Sequence, residues 1–190
     1  DALPIYGTYE ANWAMHDCDL MICIGARFDD RITGRLEAFS PGSRKIHIDI
    51  DPSSINKNIR VDVPVVADVT EALRAMLALW QDRGATTQGP AVKSWWKQIA
   101  QWRAVDCLRY TPSTDSIKPQ YAIQRLEALT KGHDRYICTE VGQHQMWAAQ
   151  FMGFEDPNRW MTSGGLGTMG YGFPSSIGVQ MAHPEALVIN

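Results

Sequence analysis

Long apolar runs are missing from this sequence: the longest uninterrupted one, Leu20 to Ala26, has seven residues. A bilayer needs about 20 in a helix, so no membrane span is expected. The four cysteines, Cys18, Cys23, Cys107 and Cys138, form no C-x-x-C pair, which argues against a zinc ribbon or a thioredoxin-type motif. Scattered through a core-rich chain, they read as reduced, buried thiols of an intracellular protein. An excess of positive charge is missing too. Eighteen Lys plus Arg stand against 21 Asp plus Glu, a formal charge of −3, and such a balance gives no field to select a phosphate backbone, so nucleic acid is not an expected partner. The amino end, DALPIYG, lacks the basic and apolar regions of a secretory signal, and the cytoplasm is the expected compartment. Internal repeats and low-complexity segments are absent.

What is present is enough for a core: 190 residues, 45% of them hydrophobic, the size of one ordinary domain or two small ones. Leu20 to Ile24, Lys45 to Ile50 and Val61 to Ala67 read as three short strands, the last with Pro64 inside it. A helix follows, with Val69, Leu73, Met76, Leu77 and Trp80 on one face, opened by Asp68-x-x-Glu71 and closed at Gly84. Beyond a turn-rich stretch from Gly84 to Pro90, Trp95, Ile99, Trp102, Val105 and Leu108 predict a second helix, packed across a boundary. Residues 111–118 have the turn chemistry of a linker, and Pro119 suits the first turn of a helix running to Gly132.

A second unit then predicts strand Tyr136 to Thr139, a helix from about Gly142 to Phe151, a short strand at Arg159 to Thr162, a glycine loop, a helix from Pro174 to about Ala182, and strand Ala186 to Ile189. Strands alternating with helices imply α/β, three-layer units built on parallel sheets. Neither half offers the strands a covered sheet usually has, so both domains are expected to be incomplete.

The loop Ser163 to Pro174, SGGLGTMGYGFP, contains a G-x-G-x-x-G at Gly165, Gly167 and Gly170. As a dinucleotide fingerprint it requires an acid about 20 residues on, near the end of the next strand, and Asn190 stands there. Alternatively, the glycines only permit positive φ in a sharp turn. No charged residue occurs between Met161 and Ala182, which favours a ligand over water as the loop's partner. Backbone N–H groups there, and helix starts at residues 142–144 and 174–176, suit an anion. His144 is a metal ligand, an acid/base or a hydrogen-bond donor; without a second histidine in metal-binding spacing, donation to an anion fits better.

EVGQHQMWAAQ at 140–150 and MTSGGLGTMGYGFP at 161–174, with IGARFDDRITGRLEAF at 24–39 and KIHIDIDPSSINKN at 45–58, resemble the catalytic subunits of the acetolactate synthase (acetohydroxyacid synthase) family. The resemblance implies that residues 1–110 are part of a central FAD-binding domain, 111–118 a linker and 119–190 the start of a thiamine diphosphate-binding domain. It implies decarboxylation of pyruvate and joining of the remaining two-carbon unit to pyruvate or 2-ketobutyrate, with thiamine diphosphate and Mg²⁺ as cofactors and FAD in a non-redox role. The resemblance also implies a homo-oligomer with a regulatory small subunit.

By the same resemblance, Gly25, Ala26, Arg27, Phe28 and Asp29, together with Asp49, Ile50, Asp68 and Val69, contact FAD. Asp68 also reads as a helix cap and Asp49 as a polar strand end. Asp30 and Arg31 correspond to a substrate channel, or else form a solvated ion pair. Gln143 and His144 correspond to diphosphate contacts, and Gly167, Thr168 and Met169 to the loop around the cofactor. Met169 matches the bulky residue beneath the thiazolium; core filling is its plain alternative.

The sequence departs from the family in having Ile5-Tyr6 before Gly7, Ala67 for a usual Gly, and Asn190 where Asp is common. The family's metal-binding G-D-G would begin just after Asn190 and its activating Glu belongs to another domain, so no catalytic residue or metal ligand is expected within these residues, and the isolated chain is expected to be inactive. Competing readings are glyoxylate carboligase, pyruvate oxidase, or a non-catalytic nucleotide-binding module.

Overall fold

The structure is a computed structural model that describes residues 7–84 and 89–190. The reading of Ile5-Tyr6, most of the amino-terminal DALPIYG and the middle of the 84–90 turn lie outside the described residues. The chain divides into two compact units, one running to Cys107 and one from Leu108.

The first unit opens with α1 (Tyr9–Asp17), whose start is capped by Thr8 accepting from the Ala11 N–H. Next come β1 (Leu20–Ile24), the one-turn α2 (Asp30–Thr33), β2 (Arg44–Asp49), β3 (Val63–Val66), α3 (Val69–Asp82) and α4 (Pro90–Arg103), with single 3₁₀ turns at Leu36–Ala38 and Pro52–Ser54. The sheet order is β1-β2-β3, all parallel, with Ile24 opposite Ile48 and Asp49 opposite Val66. β2 is central and the most buried, with His47 and Ile48 almost free of solvent. Among the described residues β3 lies at one side of this sheet and pairs with β2 alone, the position where Pro64 costs least.

Two expectations need correction here. α4 begins at Pro90 and ends at Arg103, so Val105 and Leu108 do not extend its apolar stripe. The chain breaks helical geometry at Asp106, which takes a positive φ of 51°. The partner of α4 is α1, which the apolar pattern did not predict: Trp13 stacks on Trp102 at 6.3 Å, and Glu10 pairs with Arg103 at 3.7 Å. α1 was missed because its anchors are aromatic residues in a mixed polar sequence, without the repeated aliphatic stripe that announces a helix.

The second unit contains α5 (Pro119–Thr130), β4 (Arg135–Thr139), α6 (Gln143–Phe151), β5 (Trp160–Thr162), α7 (Gly172–Ala182) and β6 (Leu187–Ile189). Its sheet order is β5-β4-β6, again all parallel. Ile137, Ala148 and Met152 form the buried centre, with Ile123, Leu126, Phe154, Trp160 and Ile189 packed against them. Arg135 pins α5 to the sheet: it donates to the Glu127 carboxylate at 2.5 Å, to Thr130 Oγ1 at 2.6 Å and to the Gly153 carbonyl at 3.0 Å.

The thiols depart from expectation. All four are free, but only Cys138 is buried, whereas Cys107 is exposed beyond the end of α4 and accepts a hydrogen bond from the Tyr9 N–H. Among the described residues no helix is long and apolar enough to cross a membrane.

Candidate functional site

In the first unit the residues singled out by the sequence gather at the carboxyl ends of three neighbouring parallel strands. Gly25 to Asp29 follow β1, Asp49 ends β2 with Ile50 next to it, and Asp68 with Val69 follow β3. That edge is where open α/β sheets bind ligands. Gly25 turns the chain with φ +63°, a value that strains any residue with a Cβ, and donates its N–H to the Ile48 carbonyl at 2.9 Å. The Ala26 carbonyl accepts from His47 Nε2 at 2.8 Å and from the Cys23 thiol at 2.9 Å. His47 thereby fixes the loop from within the core, yet its Nδ1 is buried without a hydrogen-bond partner. Burial pushes the Cys23 thiol above its ordinary range, against the hydrogen bond to Ala26 and aided by the nearby Asp49 charge.

The side chains of this edge differ in what they can offer. Phe28 is buried edge-on to Phe39 and His47, and its carbonyl accepts from Asn58, so it shapes the loop from below. Arg27 pairs with Asp29 at 3.4 Å, and Asp29 caps α2 by accepting from the Arg31 N–H. Asp30 and Arg31 are a loose, solvated pair at 4.0 Å. Asp49 accepts from the Asp51 N–H through one oxygen, and its other oxygen lies 3.7 Å from His47 Nε2. Asp68 caps α3, accepting from Thr70 and Glu71. Ile50, at 71% exposure, and Val69 present apolar surface at the same edge.

In the second unit the chain runs from β4 to β5 on one side of β4 and then crosses to β6 on the other. Such reversal of strand order opens a crevice at the carboxyl edge. The loops emerging there carry Gln143 and His144 after β4, and Gly167, Thr168 and Met169 after β5. Gly142, which has φ 150°, immediately precedes α6; no side chain caps this start and no acid lies in its first turn. A Cβ on Gly142 would lie 3.4 Å from His144 Nδ1, so the glycine leaves room for the imidazole beside the helix start. The glycine loop is partly braced by Ser163, whose carbonyl accepts from Gly167 and whose hydroxyl accepts from Thr168. Gly167 takes φ +65°. Met169 is 73% exposed, so it does not fill the core of this unit.

The α7 start corrects one expectation. It begins at Gly172, two residues before Pro174, and an anion already faces it: the chain's own Glu140. The Glu140 carboxylate accepts from the Gly170 N–H at 2.8 Å and from the Gly172 N–H in a short bond. Removal of water works against ionisation, but hydrogen bonds from the backbone of Gly170, Gly172, Phe173 and Val141 hold this carboxyl below its ordinary range.

Sequence reasoning also missed the support beneath α6. Gln145, 2% exposed, donates to Thr162 Oγ1 at 2.5 Å; Thr139 donates to the same oxygen at 2.8 Å, and Trp160 donates to Thr139 at 3.1 Å. Nothing local in the sequence marks this network, because Gln145, Thr139 and Thr162 meet only once β4, β5 and α6 have packed. The unit also has a cavity of about 730 Å³ lined by Tyr136, Arg159, Met161, Ser175, Val179 and His183, and none of the singled-out loop residues borders it. Among the described residues no three His, Cys, Asp or Glu side chains gather to hold a metal.

Two parallel-sheet α/β units, each with its candidate residues at the carboxyl edge where such sheets bind ligands, define the architectural class. The chain belongs to the thiamine pyrophosphate enzymes: residues 2–76 match the thiamine pyrophosphate enzyme central domain, and residues 140–190 the C-terminal TPP binding domain. It is 48% identical over 187 residues to the acetolactate synthase isozyme 3 large subunit of Escherichia coli, covering 98% of this chain and 32% of that protein. The acetolactate synthase large subunit of Haemophilus influenzae is 46% identical over the same shares. Acetolactate synthase 1, chloroplastic, of Zea mays is 43% identical, covering 99% of this chain and 29% of that protein. The chain thus spans about a third of the length of the curated relatives it matches.

Proposed function

We propose that the protein carrying this chain is an acetolactate synthase large subunit, converting two pyruvates to 2-acetolactate and CO₂, or pyruvate and 2-ketobutyrate to 2-aceto-2-hydroxybutyrate and CO₂, for branched-chain amino-acid synthesis. Identity above 40% to proteins of that name along nearly the whole chain supports the reading. The observation that carries it is the α6 start: an uncapped helix end without acids, bearing Gln143 and His144. These donors suit a diphosphate, because helix N-termini favour negative charge.

When bound, thiamine diphosphate supplies the carbanion chemistry that decarboxylates a 2-keto acid, and the protein supplies orientation and electrostatics. In this assignment Gln143 and His144 hold the diphosphate, Gly167 lets the backbone approach it, and Thr168 and exposed Met169 bear on the ring. Mg²⁺ accompanies the diphosphate. FAD, which carries no electrons in this reaction, belongs at the first unit's strand edge. Its donor and acceptor set fits a dinucleotide: the positive-φ turn at Gly25 with Ala26, the Arg27 guanidinium, acids at Asp29, Asp49 and Asp68, and apolar Ile50 and Val69. Phe28 supports that loop from the core, and Asp30 and Arg31 border the substrate channel. A cytoplasmic homo-oligomer with a regulatory small subunit completes the proposal, and the relatives' name, large subunit, supports a smaller partner.

The test is acetolactate formation from pyruvate by the full-length protein with thiamine diphosphate, Mg²⁺ and FAD. Product in wild type and a lower turnover number in Met169→Ala are expected. Because Met169 is mostly exposed, its truncation should shift stability by no more than about 0.5 kcal/mol. No product from fully loaded wild type would refute the reading, and a fall in stability alone would remove Met169 from the site.

A further inference from the structure

Among the described residues, Glu140 is the one carboxylate seated on the loop that the sequence leaves uncharged from Met161 to Ala182. Two observations place it there. Its oxygens accept from Gly170 and Gly172, on either side of Tyr171, so one side chain from the end of β4 ties the end of the glycine loop to the start of α7. Independently, Gly172 is pressed against the same strand end: a Cβ there would lie 2.6 Å from the Glu140 nitrogen, 2.8 Å from the Thr139 carbonyl carbon and 2.9 Å from Asn190 Oδ1. Backbone atoms cannot yield as a flexible side chain would. Only glycine brings the α7 start within reach of the carboxylate.

We infer that Glu140 is a positioning residue: it occupies the α7 start with a built-in anion, leaves the α6 start as the open anion site, and presets the loop that receives the cofactor. This rests on the proposed thiamine diphosphate site. An unfilled α7 start would offer a competing positive end to a diphosphate. With Glu140 in place, a second anion there would meet like charge. The loop's shape is then fixed before the cofactor arrives, so less ordering entropy is lost on binding.

The experiment compares wild type, Glu140→Gln and Gly172→Ala in the full-length protein by amide hydrogen exchange over residues 163–173 and by thiamine diphosphate titration with Mg²⁺. Glu140→Gln keeps the shape but removes the charge and turns a donor toward one of the two N–H groups. Faster exchange at Gly170 and Gly172 without cofactor is expected, together with roughly tenfold or greater weakening of thiamine diphosphate binding. FAD affinity should be unchanged. Gly172→Ala should reproduce both effects from the other side of the contact, and the double variant should be little worse than either single one. Should Glu140→Gln fail to fold, Gly172→Ala and Glu140→Asp, which retains charge but retracts it, give the same readouts.

Unchanged exchange and affinity in the variants would overturn the inference, as would full additivity in the double variant. If wild type itself does not bind thiamine diphosphate, the functional reading fails separately: faster loop exchange in the variants would still support Glu140 as the loop's anchor, and unchanged exchange would sink that role as well.

Discussion

At the scale of single residues, the side chains at the two strand-end edges divide into those that build the loops and those left open to a ligand. His47 and Phe28 shape the Gly25–Asp29 turn from inside the core, whereas Ile50 and Met169 remain exposed. The thiols divide in the same way, with a measurable consequence. Cys138 is 1% exposed, and burial raises its pKa against the hydrogen bond to Ser175, so at neutral pH it is a neutral thiol without access to solvent. Cys107 is exposed. Alkylation of the folded full-length protein at pH 7–8, followed by peptide mapping, should modify Cys107 well before Cys138, and denaturant should abolish the difference. Early modification of Cys138 in the native protein would contradict its burial.

At the scale of elements, strand positions were legible because short apolar or alternating runs bounded by turn residues leave few other assignments. β1 matches its predicted limits, and β2 and β3 fall within a residue or two of theirs. The start of α3 was equally plain, since Asp68 caps it directly. The α7 start was not, because Gly172 and Phe173 carry no capping signal; Glu140, 32 residues away, supplies the cap. Long-range capping by a carboxylate leaves no local pattern to read.

It does leave a pH dependence. The folded-state pKa of Glu140 is depressed from its ordinary value of 4.5. Its contribution is therefore fully present above the unfolded value and is lost as pH falls through the folded one. Protection of the Gly170 and Gly172 amides, corrected for intrinsic exchange, should hold from pH 7 to about 5 and decline below the ordinary carboxylate range. Glu140→Gln should flatten that decline. A wild-type profile equally flat down to pH 3 would show that the carboxylate does not hold the loop.

At the scale of the whole molecule, each unit contributes a sheet of its own, and each sheet gathers its candidate ligands at its own carboxyl edge. The alternation of strands and helices made this α/β plan readable. Which loop serves which cofactor was not readable from periodicity; only the family-specific strings around Arg27 and His144 pointed to it. If the assignment of FAD to the first unit and thiamine diphosphate to the second holds, the two cofactors should stabilise the protein through separate residues. A ligand that binds only the folded state stabilises it by about 2.7 kcal/mol at one hundred times its Kd. Asp49→Ala in the full-length protein removes a carboxylate at the β2 end while leaving the second unit untouched. FAD affinity should then fall roughly tenfold, the size of one charge-assisted hydrogen bond, and FAD should no longer raise the melting temperature at its former concentration. Thiamine diphosphate binding to the variant, followed by tryptophan fluorescence with Mg²⁺, should match wild type. Flavin absorbance should also stay constant while pyruvate is consumed, because the two-carbon transfer moves no net electrons. Equal FAD affinity in variant and wild type would take Asp49 out of the flavin site, and bleaching of the flavin in step with turnover would overturn its non-redox role.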